Sequence, residues 1–209
     1  MFITFEGLDG CGKTTQAKLL YECFCASGIK CLLTHEPGGT PIGEFIRNVL
    51  KSNEMKIFPL TELLLFSAAR AQHVQEVIVP ALESGVIVIS DRFADSGIAY
   101  QGAGRGIGTA YINELTTGGL LPDVTFLLDI LPQDALARRF AECSPDRIES
   151  EKLDFFYHVR EEYVRMANSE PERFCIIDAT KEIDEIFAEI KNHLNHRGFF
   201  YETCYGGNK

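Results

Sequence analysis

One short stretch near the amino terminus limits the folds open to this chain more than any other. Residues 7–15 read GLDGCGKTT and match the phosphate-binding pattern G-x-x-x-x-G-K-[ST] at Gly7, Gly12, Lys13 and Thr14. An apolar run precedes the stretch and a helical pattern follows it, which is the strand-turn-helix setting that the motif requires. Such glycines let successive backbone N–H groups converge on phosphate oxygens at the start of a helix. The stretch therefore predicts a site for nucleotide phosphates.

The side chains of this loop have separate predicted roles. Lys13 would reach the outer phosphates of ATP, and the Thr14 hydroxyl would ligate Mg²⁺. Cys11 lies beside a helix N-terminus, which lowers the pKa of a thiol, so we expect alkylation to inactivate the protein and ATP to protect it. A glycine-rich turn that only connects a strand to a helix is the alternative. The predicted ATP-binding residues of the loop are Gly7, Leu8, Asp9, Gly10, Cys11, Gly12, Lys13, Thr14 and Thr15.

Short apolar runs alternate with helical patterns along the chain. The runs are rich in β-branched or aromatic residues and suit a parallel sheet, and they cover 2–6, 30–34, 86–90, 124–129 and 174–177. The helical patterns cover 15–26, 43–51, 60–84, 110–117, 133–142, 153–168 and 183–194. This alternation predicts an α/β fold with a five-stranded parallel sheet covered by helices on both faces. A length of 209 residues suits one domain over 1–209.

The composition argues against several classes of partner. The net charge is −10, whereas nucleic acids and anionic membranes select for basic surfaces, so we expect no nucleic-acid partner and no membrane partner. No stretch reaches the roughly 20 apolar residues of a membrane span, and the first residues carry no basic leader. We therefore expect a cytoplasmic chain. Its seven cysteines contain no CxxC pair and are expected to be reduced thiols.

Two further stretches carry candidate ligand-binding groups. Asp91 and Arg92 directly follow a strand-like run, where a carboxylate suits Mg²⁺ or its water shell and an arginine can clamp a phosphate. A salt bridge between the two is the alternative. In the apolar helical run at 63–70, Phe66 lies one turn before Arg70, and helical spacing alone favours a core phenylalanine and a surface arginine.

Five segments, taken in order, resemble those of the bacterial thymidylate kinase family: FEGLDGCGKTT, HEPGGTP, LLLFSAARAQHV, DRFADSGIAYQG and DRIESEKLDFFYHVREEY. The likeness extends to about Leu194. It implies a P-loop nucleotide kinase that transfers the γ-phosphoryl group of ATP to dTMP with Mg²⁺, giving ADP and dTDP for dTTP synthesis. It also implies a homodimer, with the helix around 60–84 as a candidate interface.

The resemblance implies roles for residues of the acceptor site. Asp9 would contact the 3′-hydroxyl of the deoxyribose, Phe66 would stack on thymine, and Tyr100 would lie near C2′. Arg47 and Arg92 would hold the dTMP phosphate. The dTMP-binding residues that it implies are Asp9, Glu36, Arg47, Phe66, Arg70, Arg92, Ser96, Tyr100 and Gln101.

The resemblance also implies contacts to the thymine base of dTMP and to the adenine of ATP. Arg70 and Gln101 would hydrogen-bond the thymine edge or the adjacent phosphate, and Thr180 would belong to the adenine pocket. Two positions depart from the family pattern. His35 replaces an arginine, and Gly97 replaces a polar residue that often faces the base, so one contact to the base is expected to be lost.

Members of the family carry a catalytic arginine either in the phosphate loop or in a mobile lid. The interior of the loop has no basic residue here, so the chain resembles the class with lid arginines. We expect the lid segment at about 138–150, where a polar, proline-containing stretch could close over ATP. The catalytic residues, with Asp91 as a metal ligand beside Thr14, are expected to be Lys13, Arg92, Arg138, Arg139 and Arg147.

Two other functions fit parts of this pattern. A deoxynucleoside kinase shares the phosphate loop and the acid–arginine pair, but it needs a base to deprotonate a sugar 5′-hydroxyl, and activity on thymidine would identify it. A non-enzymatic nucleotide-binding switch would normally carry an N-K-x-D stretch, which this sequence lacks. The aromatic and glycine-rich tail at 197–209 has no assigned role, because it could pack on the body, meet a partner or fray.

Overall fold

The strands of the computed structural model form a five-stranded parallel sheet in the order β2-β3-β1-β4-β5. The structure describes residues 1–142 and 144–198, so most of the tail at 197–209 lies outside the described residues. Each strand begins and ends within one residue of its predicted bounds, and the predicted sheet is confirmed. The strands are β1 (Phe2–Glu6), β2 (Cys31–His35), β3 (Ile87–Asp91), β4 (Val124–Asp129) and β5 (Phe174–Asp178).

Helices connect the strands and cover both faces of the sheet. Neighbouring strand residues point to opposite faces, and Phe2 shares an apolar cluster with Val74, whereas Ile3 shares one with Leu20. The helices are α1 (Lys13–Ala26), α2 (Pro41–Lys51), α3 (Pro59–His73), α4 (Val79–Glu83), α5 (Ala94–Gly97), α6 (Ala110–Thr117), α7 (Pro132–Glu142), α8 (Leu153–Ser169) and α9 (Ile183–His196).

Two segments differ from the sequence prediction. The helix expected over 60–84 contains a π-helical stretch at Val74–Ile78, because Pro80 cannot donate a backbone hydrogen bond and its ring crowds the carbonyl one turn earlier. Val79 N–H donates to the Val74 carbonyl and so closes the wider turn. A second π-helical stretch, Ile98–Gly104, follows α5 in a segment for which no helix was predicted.

The order of the strands decides where the functional groups meet. Since β2, β3 and β1 are neighbours and parallel, their carboxyl ends lie side by side at one edge of the sheet. The segments that follow them begin at Gly7, Glu36 and Arg92 and therefore converge there. Within the described residues, the helices are too short or too polar to cross a membrane.

Candidate active site

A cavity of about 650 Å³ lies at this edge of the sheet. Its size is in the range typical of small-ligand sites. Among the described residues, the predicted site residues outside its lining are Gly7, Leu8, Cys11, Arg138, Arg147 and Thr180. Those that line it are Asp9, Gly10, Gly12, Lys13, Thr14, Thr15, Glu36, Arg47, Phe66, Arg70, Asp91, Arg92, Ser96, Tyr100, Gln101 and Arg139.

The phosphate loop packs closely against its neighbours. A Cβ atom on Gly10 would lie 2.1 Å from the carbonyl oxygen of Ala135, so only glycine fits there. No side chain caps the first turn of α1, which leaves its N–H groups directed toward the loop. The Lys13 ammonium donates a hydrogen bond across the loop to the Leu8 carbonyl at 2.6 Å. The loop therefore holds converging donors and a cation, as an anion requires.

Cys11 does not have the environment of a reactive thiol. Its side chain is only 1% exposed. Burial raises the pKa of the thiol, and the nearby charges of Lys13 and Arg92, which lower it, do not compensate. The expectation of a lowered pKa was wrong because it considered the helix terminus without the loss of solvent. Among the described residues, Cys11, Cys25, Cys31 and Cys175 are free thiols.

The two predicted metal ligands lie together. The Thr14 hydroxyl donates a hydrogen bond to Asp91 Oδ2 at 2.5 Å, although the two residues belong to α1 and β3. A hydroxyl and a carboxylate beside the phosphate loop are hard oxygen ligands, the type that Mg²⁺ prefers. The donor set therefore fits a magnesium ion.

Arg92 is held in a strained backbone conformation. Its φ angle is 74°, in the left-handed region that residues other than glycine rarely adopt. Its N–H donates to the Phe5 carbonyl at 2.9 Å, and its own carbonyl accepts from the Ser90 hydroxyl at 2.7 Å. The N–H of Phe93 donates to Glu6 Oε1 at 2.7 Å. These bonds on both sides of Arg92 direct its side chain into the cavity.

The Arg92 guanidinium joins the phosphate loop to the far wall of the cavity. It donates to Asp9 Oδ1 at 2.9 Å, to the Tyr100 hydroxyl at 3.2 Å and to the Ser96 hydroxyl at 3.1 Å. Arg92 thus forms a salt bridge with Asp9. The sequence had left open a salt bridge with Asp91 as the alternative to ligand binding. Burial alone would raise the pKa of Asp9, but Arg92 and Lys13 hold that pKa below its usual value.

Glu6 supports this cluster and was not singled out from the sequence. Its carboxylate is fully buried and accepts hydrogen bonds from the hydroxyls of Ser96 and Tyr163 at 2.6 and 2.7 Å. Burial, together with the charge of nearby Asp95, raises the pKa of Glu6 to about 7. An acidic last residue in an otherwise apolar strand was the signal available in the sequence.

Arg70 is buried, so the sequence-based expectation of a surface arginine was wrong. It donates to Glu36 Oε2 at 2.9 Å and to Asn113 Oδ1 at 3.0 Å. The ring of His73 bonds the other oxygen of Glu36 at 3.1 Å. Phe66, one turn earlier on α3, lines the same cavity. Phe66 and Arg70 lie one turn apart on α3, and both line the cavity.

Asn113 explains how the structure accommodates Gly97. A Cβ atom on Gly97 would lie 3.3 Å from both Arg70 Nη1 and Asn113 Oδ1. The amide of Asn113 therefore approaches the position of the missing side chain from α6. Sequence reasoning missed Asn113 because a polar residue in a short amphipathic helix carries no distinctive pattern.

The arginines of segment 138–150 lie in three different environments. Arg139 lines the cavity and donates to Glu149 Oε1 at 2.7 Å. Arg138 is exposed and donates to the Ala179 carbonyl at 2.8 Å, beside the exposed Thr180. Arg147 donates to the Leu50 carbonyl at 3.0 Å. Arg139 is thus the one of these three that the structure brings to the cavity.

The topology, the phosphate loop and the arginine-lined cavity define a class of protein, the P-loop nucleotide kinases. The sequence profile of the family described as Thymidylate kinase matches residues 5–190. A thymidylate kinase of Caldanaerobacter subterraneus subsp. tengcongensis is 49% identical over 185 residues, which are 87% of this chain and 88% of that protein. A thymidylate kinase of Deinococcus radiodurans is 46% identical over 201 residues, 95% of this chain and 98% of that protein.

A solved structure agrees with these sequence relatives. The crystal structure of thymidylate kinase from Ehrlichia chaffeensis superimposes with a TM-score of 0.74 at 38% identity, covering 93% of this chain and 98% of that one. The chain belongs to the thymidylate kinase family. This membership confirms the predicted fold, family and class of enzyme, a dTMP kinase of nucleotide biosynthesis.

Proposed function

We propose that this cavity transfers the γ-phosphoryl group of ATP to dTMP through the residues assigned below. One observation carries the proposal. The Arg92 guanidinium, a phosphate-binding group, lies 2.9 Å from Asp9 of the phosphate loop. An acceptor phosphate held by Arg92 is therefore next to the donor phosphates held by the loop, as direct transfer between the two requires.

The acceptor side binds dTMP from base to phosphate. Phe66 stacks on thymine, and Arg70 and Gln101 hydrogen-bond its edge. Asp9 and Tyr100 bind the deoxyribose. The remaining residues of this side are Glu36, which orients Arg70, Ser96, which orients Arg92, and Arg47 and Arg92, which bind the phosphate.

The donor side binds ATP through the loop 7–15 and α1. The N–H groups at the start of α1 bind phosphate oxygens, and Lys13 moves from the Leu8 carbonyl to the outer phosphates. Thr180, beside Arg138, belongs to the adenine pocket. Thr14 and Asp91 hold Mg²⁺, which when bound supplies charge neutralisation to the donor phosphates.

The acceptor chemistry needs no general base. A phosphate monoester has a second pKa of about 6, so dTMP is already largely dianionic at neutral pH. The barrier lies in bringing two anions together in line. Lys13, Arg92 and a lid arginine lower it by neutralising charge, and we assign the lid role to Arg139 because it lines the cavity.

We also propose a cytoplasmic homodimer. Large apolar side chains are exposed on three helices that pack side by side, α2, α3 and α6. Exposed apolar side chains on neighbouring helices are typical of a protein interface. These side chains are Phe45, Leu60, Leu64, Tyr111 and Leu115. Light scattering would give the mass of a dimer, and Leu64→Glu would shift it toward the monomer.

The proposed function is tested by measuring ADP formation from ATP and Mg²⁺ with dTMP, dUMP, dCMP, thymidine or no acceptor. Turnover is expected to be fastest with dTMP and absent with thymidine, because a hydroxyl acceptor needs a base that this mechanism lacks. Turnover with thymidine would favour a deoxynucleoside kinase. ATP hydrolysis independent of an acceptor would contradict the roles given to Arg92, Phe66 and Gln101.

A further inference from the structure

Glu62 is a buried charged residue to which the proposed reaction assigns no role. It lies on α3 one turn before Phe66 and is only 1% exposed. Its carboxylate accepts hydrogen bonds from Gln101 Nε2 at 2.9 Å, from Arg105 Nε and Nη2 at 3.1 Å each, and from Arg147 Nη1 at 2.7 Å. Three separate parts of the chain therefore meet at one carboxylate.

The partners of Glu62 keep it ionised. Burial acts to raise the pKa of the carboxyl group, but hydrogen bonds from Arg105, Gln101 and Arg147 lower it below its usual value. An ionised carboxylate can only accept hydrogen bonds. Gln101 must therefore turn its Nε2 group toward Glu62, and this leaves its Oε1 oxygen for the cavity that Gln101 lines.

The orientation of Gln101 decides which base edge it can bind. An oxygen facing the cavity accepts a hydrogen bond, so it matches a pyrimidine whose N3 carries a hydrogen, as in thymine. The N3 of cytosine carries a lone pair in its place, and two facing acceptors repel each other. A site whose polar groups form hydrogen bonds with one base discriminates strongly against a base that leaves one of these groups without a hydrogen bond.

The same carboxylate also holds the lid segment. Arg147 belongs to this segment, and Arg105 bonds Glu151, the residue that directly follows it, at 2.6 Å. Arg105 in turn lies 4.7 Å from the centroid of the Phe155 ring at the start of α8. Glu62 thus connects the carboxyl-terminal half of the lid segment to the wall of the base pocket.

We propose that Glu62 is a positioning residue for base selection. It fixes the amide of Gln101 with its oxygen toward the cavity, and through Arg105 and Arg147 it anchors the lid segment against this pocket. This inference rests on the proposed function, since it concerns the base of the dTMP acceptor.

The test compares kcat and KM for dTMP and dCMP in the wild-type enzyme, Glu62→Gln and Glu151→Gln. A glutamine at 62 can donate as well as accept, so the Gln101 amide is free to turn around. The ratio of kcat/KM for dTMP to that for dCMP is expected to fall at least about tenfold in Glu62→Gln. Glu151→Gln, which keeps Glu62, is expected to retain this ratio within about twofold.

Proteolysis of the lid segment separates the effect of Glu62 on the lid from its effect on base selection. Proteolysis within 144–151 is expected to be faster in both variants, because each loses a contact of the lid segment. An unchanged base ratio in a folded Glu62→Gln enzyme overturns the inference. Turnover of dTMP by the wild-type enzyme in the same experiment supports the proposed function, whatever the Glu62→Gln variant does. If the wild-type enzyme does not turn over dTMP, the proposed function itself is refuted.

The wild-type enzyme offers a readout that does not depend on the folding of a Glu62 variant. The side-chain amide of Gln101 is assigned in ¹⁵N spectra by its loss in Gln101→Leu. The Nε2 proton that bonds Glu62 is expected to exchange slowly with solvent, both in the free enzyme and with dTMP bound, because this hydrogen bond is kept. Loss of this protection on addition of dTMP would mean that the amide turns around, and would overturn the inference.

Discussion

The proposed acceptor side and the proposed donor side of the cavity are built differently. On the acceptor side, Arg70 and Arg92 are 2% and 12% exposed, and each is bonded to several groups of the protein. On the donor side, Arg138 and Thr180 are exposed and bond only near neighbours or a backbone carbonyl. Arg70 and Arg92, the arginines proposed to meet the acceptor, are thus held by bonds to side chains of the protein, while Arg138 on the proposed donor side is exposed.

This difference follows from what each side has to do. Two anions must approach in line, and arginines already held in place need no reorganisation at that moment. Two buried carboxylates, Glu36 and Glu6, and the partly exposed Asp9 hold them in place. We expect ATP to enter and ADP to leave at the proposed donor side, where an exposed surface suits exchange.

The largest expected effect is the loss of a fixed acceptor arginine. Arg92→Ala is expected to lower kcat/KM for dTMP by roughly 10³-fold or more, because the charge that neutralises the acceptor phosphate is removed. Arg165→Ala, an exposed arginine paired with Glu162 on α8, is the matched control and should stay within about twofold. Steady-state kinetics with thermal melts measure both. A loss of less than tenfold in folded Arg92→Ala would contradict a fixed acceptor side.

The lid arginines should give the next largest effect. Arg139→Ala is expected to lower kcat by roughly 10²-fold or more with little change in KM for dTMP, since the group acts on the transferred phosphoryl. Arg138→Ala is expected to raise mainly the KM for ATP, because it lies beside Thr180. If Arg138, Arg139 and Arg147 each tolerate alanine within tenfold, no lid arginine is catalytic.

Replacing Asn113 tests whether this residue supports the proposed pocket for the thymine base. Asn113→Ala removes an acceptor of Arg70 and leaves space beside Gly97, so the KM for dTMP should rise about tenfold with kcat within about threefold. Thr116→Ala on the same helix, whose hydroxyl bonds only backbone carbonyls of α6, is the matched control. A change in kcat alone would show that Asn113 acts on another step.

Glu6 should make stability depend on pH. Its pKa of about 7 in the folded protein exceeds its usual value of 4.5, so the stabilisation is complete below pH 4.5 and is lost as pH rises through 7. Urea unfolding from pH 5 to 8 should show the free energy of unfolding of the wild type falling by about 2 kcal/mol relative to Glu6→Gln. Parallel pH profiles of the two proteins would refute the raised pKa.

The smallest effect is expected at Cys11. Because the thiol is buried and its pKa is raised, iodoacetamide at pH 7 should leave activity within about twofold of the untreated enzyme. Peptide mass spectrometry should find the label on the exposed Cys25 and not on Cys11. Rapid inactivation that Cys11→Ala prevents would restore the original expectation of a reactive thiol.

The fold was predictable because its signals are local. Short β-branched runs and the glycine spacing of the phosphate loop each depend on neighbours in sequence, and each strand was placed within one residue. The π-helical stretch at 74–78 was not predicted, because it depends on how Pro80 fits a helix that continues on both sides. Local sequence patterns therefore predict strands and helices more reliably than they predict an irregular turn within a helix.

The site was predictable only in part. Motifs indicated Arg92 and Gln101, but the sequence predicted no role for the carboxylates beside them. These are Glu6, which is paired with Arg92, and Glu62, which is bonded to Gln101. The lowered pKa expected for Cys11 and the surface position that helical spacing alone favoured for Arg70 were wrong for the same reason, since burial is a property of the folded chain. One signal was present in the sequence: charged residues in apolar segments, as at Glu6 and Glu62, must find partners when they are buried.

Hydrogen–deuterium exchange of the free enzyme, the dTMP complex and the complex with dTMP and a non-hydrolysable ATP analogue tests the central comparison most directly. Backbone amides at 92–105 are expected to be protected in the free enzyme and to change little with dTMP, whereas those at 138–142 and 144–151 gain protection only with the ATP analogue. Rapid exchange at 92–105 that slows only when dTMP binds would show that the ligand assembles the acceptor side, and would contradict this account.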